Sequence, residues 1–385
     1  MKIVYVYTAL STKGGVDRII TFKAKFLAEK YDYDVYIITD SQNNNPLAFP
    51  LSPKVRHIDL GINFDRQYRH NILRRTQIYM QLMRQYRRAL SDKLLEIKPD
   101  IVISTGGREL EFLTKIKDSS LKIGEIHTVR DGIRSFNLLE KRGFPYNVIA
   151  SYYRKKMDSS IRQLSSLVLL SKNDAQSWSS IRSSEIIPNS IPFQTDRVSS
   201  CTNKRVICVG RLSHEKGFDL LIKAWKIVSD RYPDWELNIY GEGQLYNQLV
   251  NEIRDYGLDN VVRIYPPVDN IVDKYIDSSI YIMSSKYEGF GIVLAEAMSC
   301  GIPCVSFDCP YGPSEIIRNG EDGYLVENGN YEELAEKISL LIENDKLRKE
   351  MGEKARINIQ RYSADIIMKK WDLLFNKLIS GSFIK

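Results

Sequence analysis

Residues 280–308 read IYIMSSKYEGFGIVLAEAMSCGIPCVSFD, and this stretch decides the fold class. An apolar run at 280–285 is followed by a glycine-containing loop and then by a helix-like segment near 292–300. A second apolar run follows at 303–308. A strand, a helix and a strand in this order predict a parallel sheet with a right-handed crossover.

The same alternation extends through the rest of the chain. Further strands are predicted at 2–7, 34–39, 100–105, 122–129, 166–171, 205–212, 235–241 and 261–268. A stretch rich in Pro, Ser, Thr and Asn, 188–204, interrupts the pattern near mid-chain. We therefore predict an α/β protein with two Rossmann-like doubly wound domains that face each other across a cleft. The predicted parts are an N-terminal domain at 1–190, a linker at 191–204, a C-terminal domain at 205–362, and a final helix in 363–385 that packs back on the first domain.

Length and composition describe an ordinary soluble protein. The chain has 385 residues, 43% of them hydrophobic and 27% charged, which suits two domains of roughly 100–200 residues each. The N-terminus, MKIVYVYTAL, is short, alternating and without a cleavage site, so it reads as a first strand and not as a signal peptide. No apolar run approaches the ~20 residues of a membrane span. We expect a cytoplasmic protein, with peripheral contact at the inner face of the cell membrane left open.

Three of the five cysteines, Cys300, Cys304 and Cys309, lie close enough in sequence to raise the question of a metal site. No histidine is near them and no CxxC pair occurs, so the spacing suits zinc poorly. We expect small buried residues with free thiols, in a reducing compartment.

Positive charge is concentrated in residues 54–98. This region holds eleven basic and four acidic residues, a surplus equal to the formal net charge of +7 of the whole chain. The basic residues are spaced through an apparent helix whose apolar positions include Tyr68, Ile78, Leu82 and Tyr86. The pattern fits two interpretations equally well. One is a solvated helix face, and the other is a surface that attracts anionic lipid or a lipid-linked pyrophosphate acceptor. Nucleic acid is a weaker option, because no recognised binding motif accompanies the charge.

The loop and helix after strand 280–285 carry two carboxylates eight residues apart, Glu288 and Glu296. Gly289 and Gly291 between them let the backbone approach a ligand closely. Free N–H groups at the start of the helix favour polar or anionic ligand groups. Two acceptors in this setting suit a polyhydroxylated ligand that contains a sugar and a ribose.

A second group of candidate residues follows strand 205–212, in Val209-Gly-Arg-Leu-Ser-His-Glu-Lys-Gly217. Arg211 and Lys216 are two cations in one loop, and such a pair can neutralise a diphosphate. After the first strand, Gly14 and Gly15 offer backbone N–H groups from the other domain.

These motifs together resemble the retaining family 4 glycosyltransferases (glycosyl transferases group 1) of GT-B fold and bacterial surface-polysaccharide type. Glu288–Glu296 has the spacing of their EX7E motif. The resemblance covers essentially the whole second half, through Gly210-Arg-Leu, Lys216-Gly217, Ile187-Pro-Asn-Ser190, Gly312-Pro-Ser-Glu-Ile316, Asn319-Gly320 and Gly323-Tyr-Leu-Val326. In the first half it is looser and rests on His127 and Gly14-Gly-Val-Asp-Arg18, where Asp17-Arg18 stands in place of the family's frequent Glu-Arg.

The resemblance implies a role for each matched position. Arg211 and Lys216 resemble the pair that binds the donor diphosphate, and Glu288 resembles the carboxylate that contacts the transferred sugar. Glu296 resembles the ribose-binding carboxylate, and Phe290 with Gly291 resembles the loop whose backbone faces sugar and phosphate. His127 resembles the first-domain histidine near the reacting carbon of the sugar.

The family also implies catalysis without a metal, with Arg211 and Lys216 in place of the cation. Asp32-Tyr-Asp34 has the DxD pattern of metal-dependent enzymes, but it precedes a strand where those motifs end one. No cofactor is expected. In this family, transfer is thought to proceed on one face of the sugar, with a donor phosphate oxygen taking the acceptor proton.

The expected donor is a UDP-sugar carrying GalNAc, GlcNAc or Gal, because Cys309-Pro-Tyr-Gly-Pro-Ser-Glu315 resembles the loop of bacterial members that use these sugars. GDP-mannose is the alternative donor. A GT-B epimerase or phosphorylase is an alternative of another class, although such relatives generally lack the EX7E loop. An NAD enzyme is disfavoured because Gly241-Glu-Gly243 does not continue as GxGxxG, and a basic membrane-binding scaffold would not need the intact charged motifs. The expected acceptor is a lipid-linked or growing polysaccharide, selected by first-domain loops that include 130–150.

Overall fold

The computed structural model describes residues 1–128, 130, 143–144, 146–179, 181 and 183–381. The chain divides into two compact units. Met1–Ile187 with Met368–Lys385 form the first, and Pro188–Ile367 form the second. Most of the predicted acceptor loop 130–150 and the last residue of the predicted strand 122–129 lie outside the described residues, as do residues 382–385 of the predicted C-terminal segment.

Within its described residues, the first unit contains a seven-stranded sheet in which all neighbours are parallel. Its order is β3-β2-β1-β4-β5-β6-β7. The strands are β1 (Lys2–Tyr7), β2 (Asp34–Thr39), β3 (Val55–Asp59), β4 (Ile101–Ser104), β5 (Leu121–Glu125), β6 (Ser166–Leu169) and β7 (Ser184–Ile186). The helices are α1 (Gly15–Lys30), α2 (Ile72–Ile97), α3 (Tyr146–Ile161) and α4 (Lys172–Ser177).

The second unit contains a six-stranded parallel sheet in the order β10-β9-β8-β11-β12-β13. The strands are β8 (Arg205–Val209), β9 (Glu236–Tyr240), β10 (Val262–Tyr265), β11 (Ile280–Met283), β12 (Cys304–Phe307) and β13 (Gly323–Val326). The helices are α5 (Phe218–Arg231), α6 (Tyr246–Asp255), α7 (Ile271–Ile276), α8 (Ile292–Ser299), α9 (Pro313–Ile316), α10 (Tyr331–Glu343) and α11 (Asp345–Asn358). The strand order reverses between β8 and β11, where ligands of such sheets bind beyond the carboxyl ends of the strands.

The prediction of two parallel α/β sheets is confirmed. The apolar runs that predicted the strands are buried on both faces, as strands covered by crossover helices must be; Ile3, Ile103, Ile207 and Ile282 are fully buried examples. β3, β7 and β13 are not among the predicted strands. All three are short edge strands with partly or fully exposed residues, and such a strand carries no long continuous apolar run.

The basic region 54–98 was predicted to be one apparent helix, but only part of it is helical. It begins with β3, passes through a 3-10 turn at Phe64–Arg69, and becomes α-helical only at Ile72. The side chain of Asn71 accepts a hydrogen bond from the Arg74 N–H at 3.1 Å and caps the helix start there. Tyr68 therefore precedes the helix, with 56% of its surface exposed, and is not one of its buried apolar positions.

The C-terminal helix α12 (Ala364–Ile379) contributes its residues from Met368 onward to the first unit. The Tyr33 hydroxyl donates to Asp372. Lys377 forms an ion pair with Glu185 at 3.1 Å. The return of the C-terminal helix to the first unit was predicted from its amphipathic sequence. Within the described part of the chain, no helix is both long enough and apolar enough to cross a membrane.

Candidate functional site

In the second unit, the loops that follow β8 and β11 meet at the point where the strand order reverses. The Ser284 hydroxyl donates to the carbonyl of Lys216 at 2.8 Å, and the Lys286 N–H donates to the carbonyl of Glu215 at the same distance. Gly217 makes this approach possible. Its φ is +63°, and a Cβ there would lie 2.1 Å from the Ser284 carbonyl oxygen.

This contact brings together two of the predicted site residues, Lys216 and Glu288. The Lys216 ammonium donates to Glu288 Oε1 at 2.6 Å, and the Ser285 hydroxyl donates to the same oxygen at 2.6 Å. The two charged side chains are partly exposed, at 22% for lysine and 11% for glutamate. Burial disfavours the charge on Lys216, but the adjacent carboxylate outweighs it and raises the pKa of the lysine above its ordinary value.

Arg211 lies on the same loop as Lys216, two residues beyond the end of β8. Its side chain is exposed and, among the described residues, makes no hydrogen bond or ion pair. The guanidinium is therefore available to a ligand. Arg211 offers planar, bidentate donors, and Lys216 offers a compact charge, so the loop presents both kinds of cation that bind phosphate groups.

Helix α8 begins at Ile292, as the sequence predicted. Gly291 precedes it in the left-handed region, with φ of +83°, which a residue with a side chain adopts only at a cost. Phe290 is buried and packs edge-on against Tyr362, with ring centroids 5.3 Å apart. The Phe290 side chain therefore anchors the loop, leaving its backbone as the part that can meet a ligand.

Glu296 lies one turn into α8 and is 3% exposed. The buried hydroxyl of Tyr275 donates to its Oε2 at 2.9 Å. The sequence analysis did not identify Tyr275. It lies on the short helix α7, and nothing in its local pattern distinguishes it from an ordinary core tyrosine. Ser285 was missed too, although its position between β11 and Glu288 was a usable signal.

The loop after β12, which suggested the donor, touches the Phe290 loop. Gly312 has a φ of +108°, and a Cβ there would lie 2.2 Å from the Phe290 carbonyl oxygen. The two loops are therefore in backbone contact. A substitution that shifts one loop will also shift the other.

In the first unit, the glycine loop after β1 is organised by Asp17. This buried carboxylate accepts hydrogen bonds from the Tyr7 hydroxyl at 2.6 Å, and from the Thr12 N–H and hydroxyl at 2.8 and 2.7 Å. Gly15 is the first residue of α1, with Gly14 before it. The aspartate that replaces the family's frequent glutamate thus holds the shape of the loop.

His127 follows β5, and its side chain is 6% exposed. The ring Nε2 lies 3.3 Å from Oε1 of Glu125, the last residue of β5. Burial lowers the pKa of His127 below its ordinary value, although Glu125 opposes the shift. The imidazole is therefore neutral at neutral pH.

The DxD-like pair lies at the start of β2, with Asp34 as its first residue, at the edge of the sheet opposite to the carboxyl ends of the strands. Asp32 pairs with Lys54 at 3.2 Å and Asp34 with Arg56 at 3.8 Å, both on the surface. The five cysteines are buried free thiols. Burial raises the pKa of Cys300 and of Cys309 to about 12, so both are protonated near neutral pH.

Comparison with known proteins shows what the chain is similar to. The family described as glycosyl transferases group 1 matches residues 194–358. An exopolysaccharide phosphotransferase of Streptomyces coelicolor is 38% identical over half of this chain, but only 21% of that protein is covered. The amylovoran biosynthesis glycosyltransferase AmsD of Erwinia amylovora is 27% identical over 97% of this chain and 99% of its own length. A poly(ribitol-phosphate) alpha-N-acetylglucosaminyltransferase of Staphylococcus aureus is 37% identical over 46% of this chain and 36% of its own length.

Among solved structures, TarM of S. aureus, in complex with fondaparinux, alpha-GlcNAc-glycerol and UDP, matches with a TM-score of 0.79. The match covers 98% of this chain and all of that chain, at 18% sequence identity. At that identity the likeness shows the fold, which is the predicted GT-B fold with two Rossmann-like domains. The match to the glycosyl transferases group 1 family, over residues 194–358, lies within the second unit.

Proposed function

We propose that this protein is a retaining glycosyltransferase that moves a hexose or N-acetylhexosamine from a UDP-sugar onto a lipid-linked or growing bacterial surface polysaccharide. The observation that carries the proposal is the Lys216–Glu288 pair at the reversal of the second sheet, with Arg211 on the same loop. A paired cation and carboxylate beside a free cation suit a ligand that has both a diphosphate and sugar hydroxyls.

The diphosphate side of the proposal rests on charge. A nucleoside diphosphate leaving group gains negative charge as the glycosidic bond breaks, and preorganised cations stabilise that charge. Arg211 is exposed and Lys216 is already ordered by Glu288. The N–H groups at the start of α8 add a partial positive charge beside the Glu288 loop.

The sugar and ribose sides rest on the two carboxylates. In our proposal Glu288 accepts hydrogen bonds from hydroxyls of the transferred sugar, while its contact with Lys216 holds the carboxylate in place. Glu296 accepts from the ribose hydroxyls, with its other oxygen held by Tyr275. His127, Gly15 and the backbone of Phe290 and Gly291 have the roles that the family resemblance implies.

UDP-GlcNAc is the donor we favour among GlcNAc, GalNAc and Gal. Two comparisons support it: the S. aureus relative is named as an alpha-N-acetylglucosaminyltransferase, and the TarM structure holds UDP. The loop Cys309–Glu315 supports the same group of donors through its resemblance to bacterial members. GDP-mannose is the competing donor.

A thermal-shift panel of UDP- and GDP-sugars tests the donor proposal. A donor at 100 times its Kd stabilises the protein by about 2.7 kcal/mol, which raises Tm by several degrees. We expect this shift with UDP-GlcNAc and not with GDP-mannose, and we expect Lys216→Met to remove it. A shift with GDP-mannose alone would contradict the UDP proposal, and shifts with neither would contradict the donor site itself.

The stereochemistry and the metal requirement are tested on the transfer reaction. A retaining enzyme converts an α-linked donor into an α-linked product, which the anomeric proton coupling in an NMR spectrum reports. A β-linked product would contradict the mechanism. We expect EDTA to leave the rate largely intact, because Arg211 and Lys216 supply the charge that a metal ion supplies elsewhere; complete loss of activity that Mg²⁺ restores would contradict this.

A lipid-linked acceptor gives a reason for the basic region 54–98. Of its eleven basic side chains, all but Lys93 are exposed, and Arg75 stacks on Tyr68 with 4.4 Å between the guanidinium carbon and the ring centroid. We propose that this surface binds anionic membrane, with the first unit on the membrane side. Cosedimentation with vesicles containing anionic lipid should fall as salt rises; binding that is absent, or unaffected by salt, would leave the region as a solvated surface.

A further inference from the structure

A group of polar side chains lies inside the first unit, beneath His127. Lys23 of α1 and Glu125 of β5 form an ion pair at 2.6 Å, and both side chains are almost fully buried, at 2% and 1% exposure. The same oxygen of Glu125 lies 3.3 Å from His127 Nε2. On its other side, the Lys23 ammonium sits 3.6 Å from the ring centroid of Trp371 in α12. Four residues, from α1, β5, the loop after β5 and α12, thus form one connected chain of contacts.

Several buried polar atoms in this group have no hydrogen-bond partner among the described residues. They are the Tyr5 hydroxyl, Glu125 Oε2 and both ring nitrogens of His127. Unpartnered buried polar atoms are rare in folded proteins, and each lowers stability by about 1–3 kcal/mol. A buried ion pair is often no more stabilising than apolar side chains of the same volume. Stability alone therefore does not account for this group.

The geometry around Glu125 Oε1 accounts for it better. Glu125 Oε1 lies 3.3 Å from Nε2 but outside hydrogen-bond geometry. Its negative charge still favours the imidazole tautomer with the proton on Nε2, and leaves Nδ1 as the lone-pair atom. The carboxylate can do this only while it is charged, and the Lys23 ammonium is the adjacent counter-charge. The ring of Trp371 holds that ammonium from the other side by a cation–π contact.

We propose that Glu125 and Lys23 are positioning residues for His127: Glu125 sets the tautomer and orientation of the imidazole, and Lys23, held by Trp371 of the C-terminal helix, holds the Glu125 carboxylate in place as its counter-charge. The part that concerns the transfer rate rests on the proposed function, through the role of His127. The part that concerns the tautomer does not.

The charges that face one another in this group fit the proposal. Burial lowers the pKa of Lys23 to about 8, and Glu125 limits the fall. Burial raises the pKa of the Tyr5 hydroxyl far above its ordinary value, and Glu125 adds to the rise. At pH 7 the group therefore holds a charged lysine, a neutral tyrosine and a neutral histidine. Because only a neutral imidazole has two tautomers, the choice between them matters at this pH.

The wild-type protein provides the first test. Selective ¹⁵N labelling of histidine gives separate signals for the two ring nitrogens, and the chain has only four histidines, so a His127→Gln variant identifies the signal of interest. We expect the proton of His127 on Nε2. A proton on Nδ1 in the wild type would overturn the proposal, without the need for any other variant.

The second test compares Glu125→Gln with a matched change at Asp118, just before the same strand. Lys122 and Asp118 form another buried lysine–carboxylate pair, at the other end of β5 and remote from His127. We expect Glu125→Gln to give a mixture of His127 tautomers and to lower kcat about tenfold, with the donor KM changed less than twofold. We expect Asp118→Asn to leave both the tautomer and kcat as in the wild type.

The outcomes separate the two claims. An unchanged tautomer in Glu125→Gln, or an equal loss of kcat in Asp118→Asn, overturns the positioning role. A changed tautomer with an unchanged kcat supports the positioning role and counts against the part of His127 in the proposed reaction. If Glu125→Gln does not fold, Lys23→Arg serves instead. This variant keeps the counter-charge and should keep the Nε2 tautomer of His127. Loss of the Nε2 tautomer in Lys23→Arg would overturn the role of Lys23.

Discussion

Each unit of this protein contains a lysine–glutamate pair with the same 2.6 Å separation, and the two pairs differ in almost every other respect. Lys216–Glu288, in the second unit, joins two loops at the carboxyl ends of strands and is partly exposed. Lys23–Glu125, in the first unit, joins α1 to the end of β5 and is buried. The pKa of Lys216 is raised by its partner, whereas the pKa of Lys23 is lowered by burial to about 8.

The difference teaches that distance does not define the role of an ion pair. A partly exposed pair can exchange its partner for a ligand, because water compensates whichever charge is released. A buried pair has no such exchange available, since separation would leave an uncompensated charge in an apolar surrounding. The first kind suits substrate binding, and the second suits the fixing of a neighbouring group.

The largest expected effect is on transfer by the exposed pair. Replacing Lys216 by Met should lower kcat/KM by about 10²–10³-fold, because one preorganised charge at the leaving group is lost. The measurement is steady-state transfer from the donor identified by thermal shift. Lys226→Met is the control, since that partly exposed lysine forms an ion pair with Asp230 on the surface of α5. Equal activity in both variants would refute the role of Lys216.

The effects on stability should have the opposite order, with the larger loss when the buried pair is broken. Lys23→Met leaves Glu125 buried without its partner, which should lower the free energy of unfolding by about 3–5 kcal/mol. At ~2–4 °C per kcal/mol, Tm falls on the order of 10 °C. Lys216→Met should lower it by about 1 kcal/mol or less. Calorimetry of the two variants measures this, and a larger fall for Lys216→Met would reverse the comparison drawn here.

A smaller effect should follow when Glu296 loses the hydrogen bond from the Tyr275 hydroxyl. Tyr275→Phe deletes the hydroxyl that donates to Glu296, and one such hydrogen bond contributes about 0.5–1.5 kcal/mol. We expect the donor Kd to rise several-fold, and Glu296→Ala to raise it further. Titration calorimetry with the nucleotide measures both. Tyr256→Phe, at an exposed tyrosine, is the control. An unchanged Kd in Glu296→Ala would remove its ribose role.

The two pairs should also differ in how their contribution to stability depends on pH. Lys23 has a folded-state pKa of about 8 against an ordinary value of 10.5. Between these values the unfolded chain binds more protons, so the contribution of Lys23 to stability rises with pH. Lys216 has the opposite sign: its raised pKa gives a contribution that is present below 10.5 and is lost as pH rises through the folded-state pKa. Urea unfolding at pH 8 and pH 10 measures the change in the free energy of unfolding between the two pH values. From pH 8 to pH 10 this free energy should rise less, or fall more, in Lys23→Met than in the wild type. An identical change in both proteins would argue against a lowered pKa of Lys23.

Some parts of the site could be predicted from sequence because their signals are local. Glu288 and Glu296 stand on a strand–loop–helix segment, and Lys216 follows a strand, so their placement needed only the strand pattern and the rule for carboxyl ends. Tyr275, Glu125 and Lys23 could not be found in this way. Each looks like an ordinary residue of its own element, and its partner is 21 residues away at the least.

The basic region shows the same limit at the level of the fold. Charge counting correctly located the surplus in 54–98, but the helical pattern was extended over β3 and the turn before Ile72. Edge strands and short turns take their structure from neighbours, here from pairing with β2. Their own residues carry too little periodicity to reveal it.

The sequence by itself determined two parallel sheets, the strand ends that carry charged residues, and the resemblance to one glycosyltransferase family. It could do so because strand burial and helix periodicity repeat over short distances. Only the tertiary structure decided that Lys216 is already bound to Glu288 and that Glu296 is held by Tyr275. Only the tertiary structure placed a buried lysine between a tryptophan of the last helix and a carboxylate beside His127. Such contacts join residues that are distant in the chain, and they form only when the sheets and helices have packed.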